Sequence, residues 1–509
     1  MLVELLIVFS LMAAGLVVLV PDEYAGQFAA VLSLVPVGVS LWMYSIFDGA
    51  GNALLEGGQP AFETMASWVT LGPYAVNWHV GLDGVSMPLV VLTTILTTVA
   101  IVSAWTPIDE RESQFYGLVL FMQAALIGVF AALDFLLWFV FWEGVLVPMY
   151  FLIGIWGGPR RKYAAIKFFV YTNIASLVMF IGFAALVFGL GDSVSSFDLP
   201  AIAQALRGGE LGSLYGVPAG TLKAVAFVAM FLGFAVKVPI VPFHTWLPDA
   251  HVEAPTPASV VLAGVLLKMG TYALLRFNFT MLPEQATAFA VPIAAVAVLS
   301  VIYGAILALA QQDLKRIVAY SSVSSMGYVI LGLIAYNTYG VGGATFQMIA
   351  HGLISGLMFM GVGVIYNTTH TRMVGDMSGM ADRMPVTTGI FVAGAFGYMG
   401  LPLMAGFAGE FFIFKGAFAS TVHASMPLFT AASMFGIVIV AGYLLFAMQR
   451  TLFGPFRLET DYEVTTAALH ETVPMFVLLL CIIALGVAPD LFFRMIQDAV
   501  NPLVGGGLP

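Results

Sequence analysis

Apolar residues in this chain fall in long continuous runs, not in two-residue alternation. A helix needs about 20 such residues to cross a bilayer. Runs of that order recur at 2–20, 28–47, 85–105, 113–132, 134–154, 164–190, 222–242, 255–278, 286–310, 317–336, 341–366, 387–418, 424–453 and 470–492. The pattern predicts an all-α polytopic membrane protein with about fourteen transmembrane helices. Without strand-period alternation, a transmembrane barrel is not expected. The polar stretches 48–80, 191–221 and 454–469 read as loops, none large enough for a soluble domain, so 1–509 reads as one membrane domain. The first run carries Glu4 and has no Lys or Arg ahead of it. A signal peptide needs a basic start and a small-residue cleavage site, so this run is expected to remain as a span.

Two spans look interrupted. The seventh ends in Lys237-Val-Pro239-Ile-Val-Pro242, and the over-long twelfth carries Gly397, Gly400, Pro402, Gly406 and Gly409. Proline removes a backbone donor and breaks the helical ladder. Gly233-Phe-Ala-Val-Lys237 also matches Gly406-Phe-Ala-Gly-Glu410, with a charge in the same slot. Broken helices in corresponding places of two halves mark transporters built from repeats. The expected organisation is therefore N-terminal helices 1–3 (1–112), then two inverted five-helix repeats over spans 4–8 (113–278) and 9–13 (286–453). A last helix and C-terminus follow (470–509).

Composition narrows the class. Hydrophobic residues make up 61% and charged residues 9% of the 509. Soluble domains carry roughly 25% charged residues, so water cannot solvate this surface. The single Cys481 excludes a disulfide scaffold, and the net charge of -10 leaves no basic face for nucleic acid. Loop charges orient the chain. Ten Lys or Arg fall in one set of loops, including Arg160, Arg161, Lys162, Lys315, Arg316 and Arg372; four fall in the other set and four within spans. The ten-residue side is expected to be cytoplasmic or its matrix equivalent, with both termini outside.

Ionisable groups inside spans cost about 2.5–3.5 kcal/mol each on insertion scales, so each needs a reason. Glu143, Lys237, Lys268, His351 and Glu410 lie deep in spans five, seven, eight, eleven and twelve. Glu143 follows Asp134 by nine residues, roughly 13 Å along a helix, and Lys268 follows Pro255 by thirteen, roughly 20 Å. Desolvation pushes buried lysine and glutamate toward neutrality and an opposite charge reverses the push. Such a series can pass protons. The plainer alternative is helix-pairing charges, or lysines that snorkel to the interface. That alternative weighs most for Lys167, close to the basic loop, and for Lys415. His244, Asp249, His251 and Glu253 cluster in FHTWLPDAHVEAP without zinc-ligand spacing, so no metal is expected. No dinucleotide fingerprint and no set of cysteine ligands suggests a redox centre.

These residues carry a pattern. Lys237-x-Pro239-x-x-Pro242-Phe243-His244-x-Trp246-Leu247-Pro248, continuing through His251 to Pro255, resembles the central signature of the antiporter-like membrane subunits of respiratory complex I, the proton-pumping NADH:quinone oxidoreductase. Asp313-Leu-Lys-Arg-Ile-Val-Ala-Tyr-Ser-Ser resembles their second signature, and WEGVLVPMY (with Glu143) and HVGLDGVSMPLV also match. Glu410, where most members carry Lys, is similar to the M-type branch. The resemblance implies a proton path through Glu143, Lys237, Lys268, His351 and Glu410, with Lys167, His244, Ser325 and Lys415 in a second tier. It implies helix breaks at Pro239, Pro242 and Pro402. A Glu143–Lys237 pair would open and close, and Glu410 would release the proton outward. Some relatives have His where this chain has Ser325. The resemblance further implies no cofactor in this chain: FMN, iron–sulfur clusters, NADH and quinone would belong to partner subunits. Two sister chains would be neighbours, and the site would be a bacterial or mitochondrial inner membrane. The competing readings are a subunit of a multi-subunit sodium/proton antiporter, disfavoured by Glu410, and a purely structural scaffold, disfavoured by five buried ionisable groups.

Overall fold

In a computed structural model that describes residues 1–505, helices dominate. They are α1 (Leu2–Val18), α2 (Asp22–Ser45), α3 (Ser86–Ser103), α4 (Glu112–Ala131), α5 (Phe135–Trp156), α6 (Arg161–Leu190), the short α7 (Leu199–Arg207), α8 (Ala219–Lys237), the short α9 (Trp246–Glu253) and α10 (Thr256–Thr280). Then come α11 (Ala290–Leu309), α12 (Leu314–Ile334), α13 (Thr338–Thr369), α14 (Pro385–Tyr398), α15 (Ala405–Phe418), α16 (Met426–Leu452), α17 (Leu469–Val487) and α18 (Asp490–Val504). Twelve of these are long and apolar enough to cross a membrane among the described residues. With α1 and the broken pair α14–α15 they account for the fourteen expected crossings.

Helices suit these runs because every backbone group inside a bilayer must be satisfied within its own segment. Their starts are fixed by short polar side chains that take up the otherwise unpaired first N–H groups. Asp134 accepts from Leu136 and Leu137 ahead of α5, Asp313 from Lys315 and Arg316 ahead of α12, and Asn337 from Gly340 ahead of α13. The membrane windows of α10 and α13 are wholly buried, whereas 28% of that of α2 is. The former are therefore the interior, and the latter faces the surrounding medium.

Three elements depart from the expected pattern. The stretch 48–80 is not all loop: β1 (Ala61–Leu71) and β2 (Tyr74–Leu82) form an antiparallel hairpin turning at Gly72, whose φ is +60°. Only β2 is largely buried, so one exposed strand hid the alternation a strand reading looks for. Span five parts between Gly144 and Leu146. Pro148 has no N–H to offer the carbonyl of Gly144, which accounts for the break. The last crossing ends at Val487, and α18 is a separate amphipathic helix that buries Phe493, Ile496, Val500 and Leu503.

Candidate functional site

Both expected breaks are present. Residues 238–245, with Pro239 and Pro242, separate α8 from α9, and residues 399–404, with Pro402, separate α14 from α15. The two charged residues do not stand alike at them. Lys237 is the last residue of the half-helix before its break; Glu410 lies in the half-helix after its break. The local Gly-Phe-Ala match therefore does not mark equivalent positions along the two broken helices. A side chain restores part of the likeness, because the Glu410 carboxylate folds back to the break. Its Oε2 lies 2.5 Å from where a Cβ on Gly400 would stand.

Lys237 is 1% exposed and its Nζ has no hydrogen-bond partner. It sits 5.0 Å from the centre of the Trp142 ring, a cation–π contact, and Trp142 is held by a 2.9 Å bond from its Nε1 to Ser176 Oγ. Half-buried Glu143 accepts instead from Asn173 Nδ2 at 3.3 Å. The expected Glu143–Lys237 pair is thus not joined in this structure. Trp142 occupies the bonding position beside the ammonium, and Asn173 bonds the carboxylate.

Lys268 lies between two π-helical segments, Leu262–Leu266 and Leu274–Thr280. Such turns loosen the normal ladder and often mark functional sites. The loosened carbonyl of Ala263 accepts from Lys268 Nζ at 2.5 Å, and His351 Nδ1 lies 2.6 Å from the same nitrogen. Both side chains have no solvent exposure. A charged Lys268 can only donate, which makes Nδ1 the acceptor and puts the imidazole proton on Nε2. That nitrogen faces Tyr398 OH at 3.4 Å, and Tyr398 OH is 3.5 Å from Ser322 Oγ. Tyr398 is the last residue of α14, so the chain of polar atoms reaches the second break.

One helical turn from His351 on α13, Gln347 donates to Ser325 Oγ at 3.5 Å. Its Oε1 lies 2.2 Å from where a Cβ on Gly409 would stand. Gly409 is what lets the amide approach α15 beside Glu410. Glu410 is 5% exposed, and its Oε2 has no partner.

Of the second tier, Lys167 is tied by a 2.7 Å ion pair to Asp249, which also meets Arg316 at 3.3 Å. His244 is buried against the rings of Tyr303 and Tyr320, with Nδ1 unpartnered. Lys415 Nζ stands 3.5 Å over the Tyr339 ring.

Residues 132–440 match the model of a family described as NADH:quinone oxidoreductase/Mrp antiporter, transmembrane. The chain is 38% identical over 490 residues to "NADH-quinone oxidoreductase subunit M" of Rhodobacter capsulatus, covering 95% of this chain and 91% of that one. The chain belongs to this family. It is also 38% identical over 495 residues to "F(420)H(2) dehydrogenase subunit M" of Methanosarcina mazei, covering 95% and 94%. A chain of respiratory complex I from Thermus thermophilus superposes with a TM-score of 0.85 at 26% identity, covering 100% of both chains. The antiporter-like fold and its set of crossings are those anticipated from the sequence.

Reasoning from charges alone missed the polar side chains that contact these groups in this antiporter-like chain or extend from them: Asn173, Gln347, Tyr398 and Ser322. Asn173 and Gln347 had a signal, since each is an amide inside an apolar run. Ser322 and Tyr398 had none, because hydroxyls are common in such helices and their aim is set by packing.

Proposed function

We infer that this chain is the M-type, proton-translocating, antiporter-like membrane subunit of an NADH:quinone oxidoreductase, and that protons move along the buried line from Lys237 through Lys268 and His351 to Glu410. The observation that carries the second part is the Lys268–His351 contact. An ammonium and an imidazole 2.6 Å apart, both fully buried, share one proton-transfer coordinate and offer each other no compensating charge. Packing alone gains nothing from such a pair. On this reading the chain has no redox centre. FMN, iron–sulfur clusters, NADH and quinone act in partner subunits, and the energy arrives as a change in packing or field.

Glu143 supplies the switchable partner of Lys237. Moving the carboxylate toward the ammonium favours the charged lysine, and withdrawing it to Asn173 favours release of the proton to the next base. Lys268 and His351 relay, and Glu410 receives at the second break and releases outward. The side with ten basic loop residues is cytoplasmic, and the neighbours in the membrane are two sister chains of the same fold. The test is Lys268→Ala in the assembled complex, read as proton uptake by inverted vesicles per electron pair from NADH. The expected result is loss of pumping with the complex intact. A wild-type ratio would remove Lys268 from the path.

A further inference from the structure

Where α1, α4 and α5 meet, the surface of the bundle opens into a groove of about 630 Å³, lined by the small residues Ala14, Gly15 and Gly117 and by Leu11, Phe121 and Phe151. The glycines shape it. Gly117 lets α4 lie against α1, since a Cβ there would stand 2.5 Å from Val18 Cγ2. A Cβ on Gly15 would meet nothing within 4 Å, so open space begins at that backbone. The side chains of Leu11, Phe121 and Phe151 are exposed. From Leu11 to Val18 the groove follows α1 for about 10 Å, most of the roughly 15 Å that the hydrocarbon of one leaflet occupies. Its length and lining suit a hydrocarbon chain.

One end of the groove is polar. Trp156, the last residue of α5, donates from Nε1 to the Glu110 carbonyl at 2.7 Å and meets the Phe115 ring edge-on at 5.4 Å. Tryptophan favours the level where hydrocarbon gives way to headgroups. Gln114, the one amide of the lining, is exposed in the first turn of α4 at the same end. The residue after Trp156 begins a second hollow of about 760 Å³, lined by residues 157–163, with Arg160, Arg161 and Lys162 among them. All three are exposed, and none of their side chains forms an ion pair among the described residues. The Glu253 carboxylate is engaged by the Arg160 backbone N–H at 2.8 Å, not by its guanidinium, which lies 5.0 Å from the centre of the Tyr163 ring. Arg161 donates to the Gly157 carbonyl at 3.3 Å. Three cations without a matching anion thus follow directly on the headgroup end of an apolar groove.

We propose that the groove and the basic hollow together hold one anionic phospholipid of the surrounding leaflet. An acyl chain lies along Gly15, the glycerol esters reach the Gln114 amide, and the phosphate rests on Arg160, Arg161 and Lys162. Charge decides the occupant. An apolar helix of a partner protein would fill the groove and leave the three cations unmatched at its end. A zwitterionic lipid brings its own ammonium among them and cancels the gain. Each Lys or Arg beside a membrane surface favours an anionic headgroup by about fivefold, so three together favour it by about a hundredfold before salt screening. The site uses no residue of the buried line, so this proposal and the proton path stand or fall separately.

The test uses the whole assembled complex in phosphatidylcholine nanodiscs doped with a trace of either phosphatidylglycerol or phosphatidylcholine, each carrying the same photoreactive acyl chain. Cross-linked peptides are read by mass spectrometry over residues 11–18, 114–121 and 151–156. The native complex is expected to label there at least about tenfold more with phosphatidylglycerol than with phosphatidylcholine. Replacing Arg160, Arg161 and Lys162 together by Gln should bring the two lipids level. Gly15→Leu, which fills the groove, should lower phosphatidylglycerol labelling of these segments and leave that of the other lipid-facing helices unchanged. Equal labelling of the native complex by both lipids shows ordinary bilayer contact and overturns the proposal. Absence of labelling by either shows a groove covered by a partner subunit and also overturns it. An undiminished preference in the triple Gln variant removes the headgroup site. If Gly15→Leu does not assemble, the native complex and the triple variant, whose changes lie on an exposed loop, decide alone.

Discussion

His351→Gln separates holding a structure together from moving a proton through it. In the native chain His351 Nδ1 accepts from Lys268 Nζ at 2.6 Å, and its other nitrogen faces Tyr398 at 3.4 Å. A glutamine carbonyl oxygen can accept from the same ammonium, so the ground-state bond largely survives. Losing it outright would cost about 1.5–3 kcal/mol, the worth of a hydrogen bond to a charged group. What glutamine cannot do is bind and release a proton at neutral pH. A positioned base contributes about 10²–10⁴ in rate, which is roughly 2.7–5.4 kcal/mol of barrier. The kinetic loss therefore exceeds the structural one, and the two can be read separately. Assembly is measured by recovery of the intact complex, and pumping by dye quenching in inverted vesicles driven by NADH. We expect near-normal recovery with pumping slowed by at least about a hundredfold, the lower end of that range. Wild-type pumping in His351→Gln would refute the argument, because it would mean that no proton passes through this imidazole.

Other outcomes follow from the same geometry. Glu410→Gln is expected to impair pumping, and Gly400→Ala to act similarly, because its φ is +64° and its new Cβ would stand 2.5 Å from Glu410 Oε2; an unaffected Gly400→Ala would show that the carboxylate need not sit at the break. Lys237→Arg should pump no better than Lys237→Ala, since guanidinium stays charged throughout a cycle; activity in the Arg variant would make the site structural. On the hairpin, burial opposes charge on His79, but its bonds to Asp198 at 2.5 Å and Glu63 at 2.9 Å outweigh this and raise its pKa above the ordinary value of 6.5. A raised pKa stabilises fully below the ordinary histidine value and is lost as pH rises through the raised one. The protection of amides over residues 61–82, taken relative to the intrinsic base-catalysed exchange rate, should therefore fall as the medium turns alkaline, and His79→Gln should remove that fall; protection that is independent of pH in the native hairpin would contradict it.

The sequence alone indicated about fourteen crossings and the two proline-marked breaks, and it picked out Lys237, Lys268, His351 and Glu410 as buried, but not the buried Arg276–Asp83 ion pair. The reason is that the bilayer acts on each segment separately: length, apolarity and a missing N–H have the same consequence whatever the neighbours are. It left the hairpin unread, because only one of its two strands is buried. It also set Glu143 against Lys237 and aligned Lys237 with Glu410; the tertiary structure shows no direct hydrogen bond between the first two and does not align the second pair. Trp142 lies beside the ammonium, Asn173 holds the carboxylate, and the two charges stand on opposite sides of their breaks. The contacts of Tyr398 and Gln347 were likewise decided only in three dimensions. These contacts join residues far apart in the chain, and a proton path is made of distances of a few ångströms between side chains. Such distances are set by how α10, α12, α13 and the two half-helices pack together, which no single segment encodes.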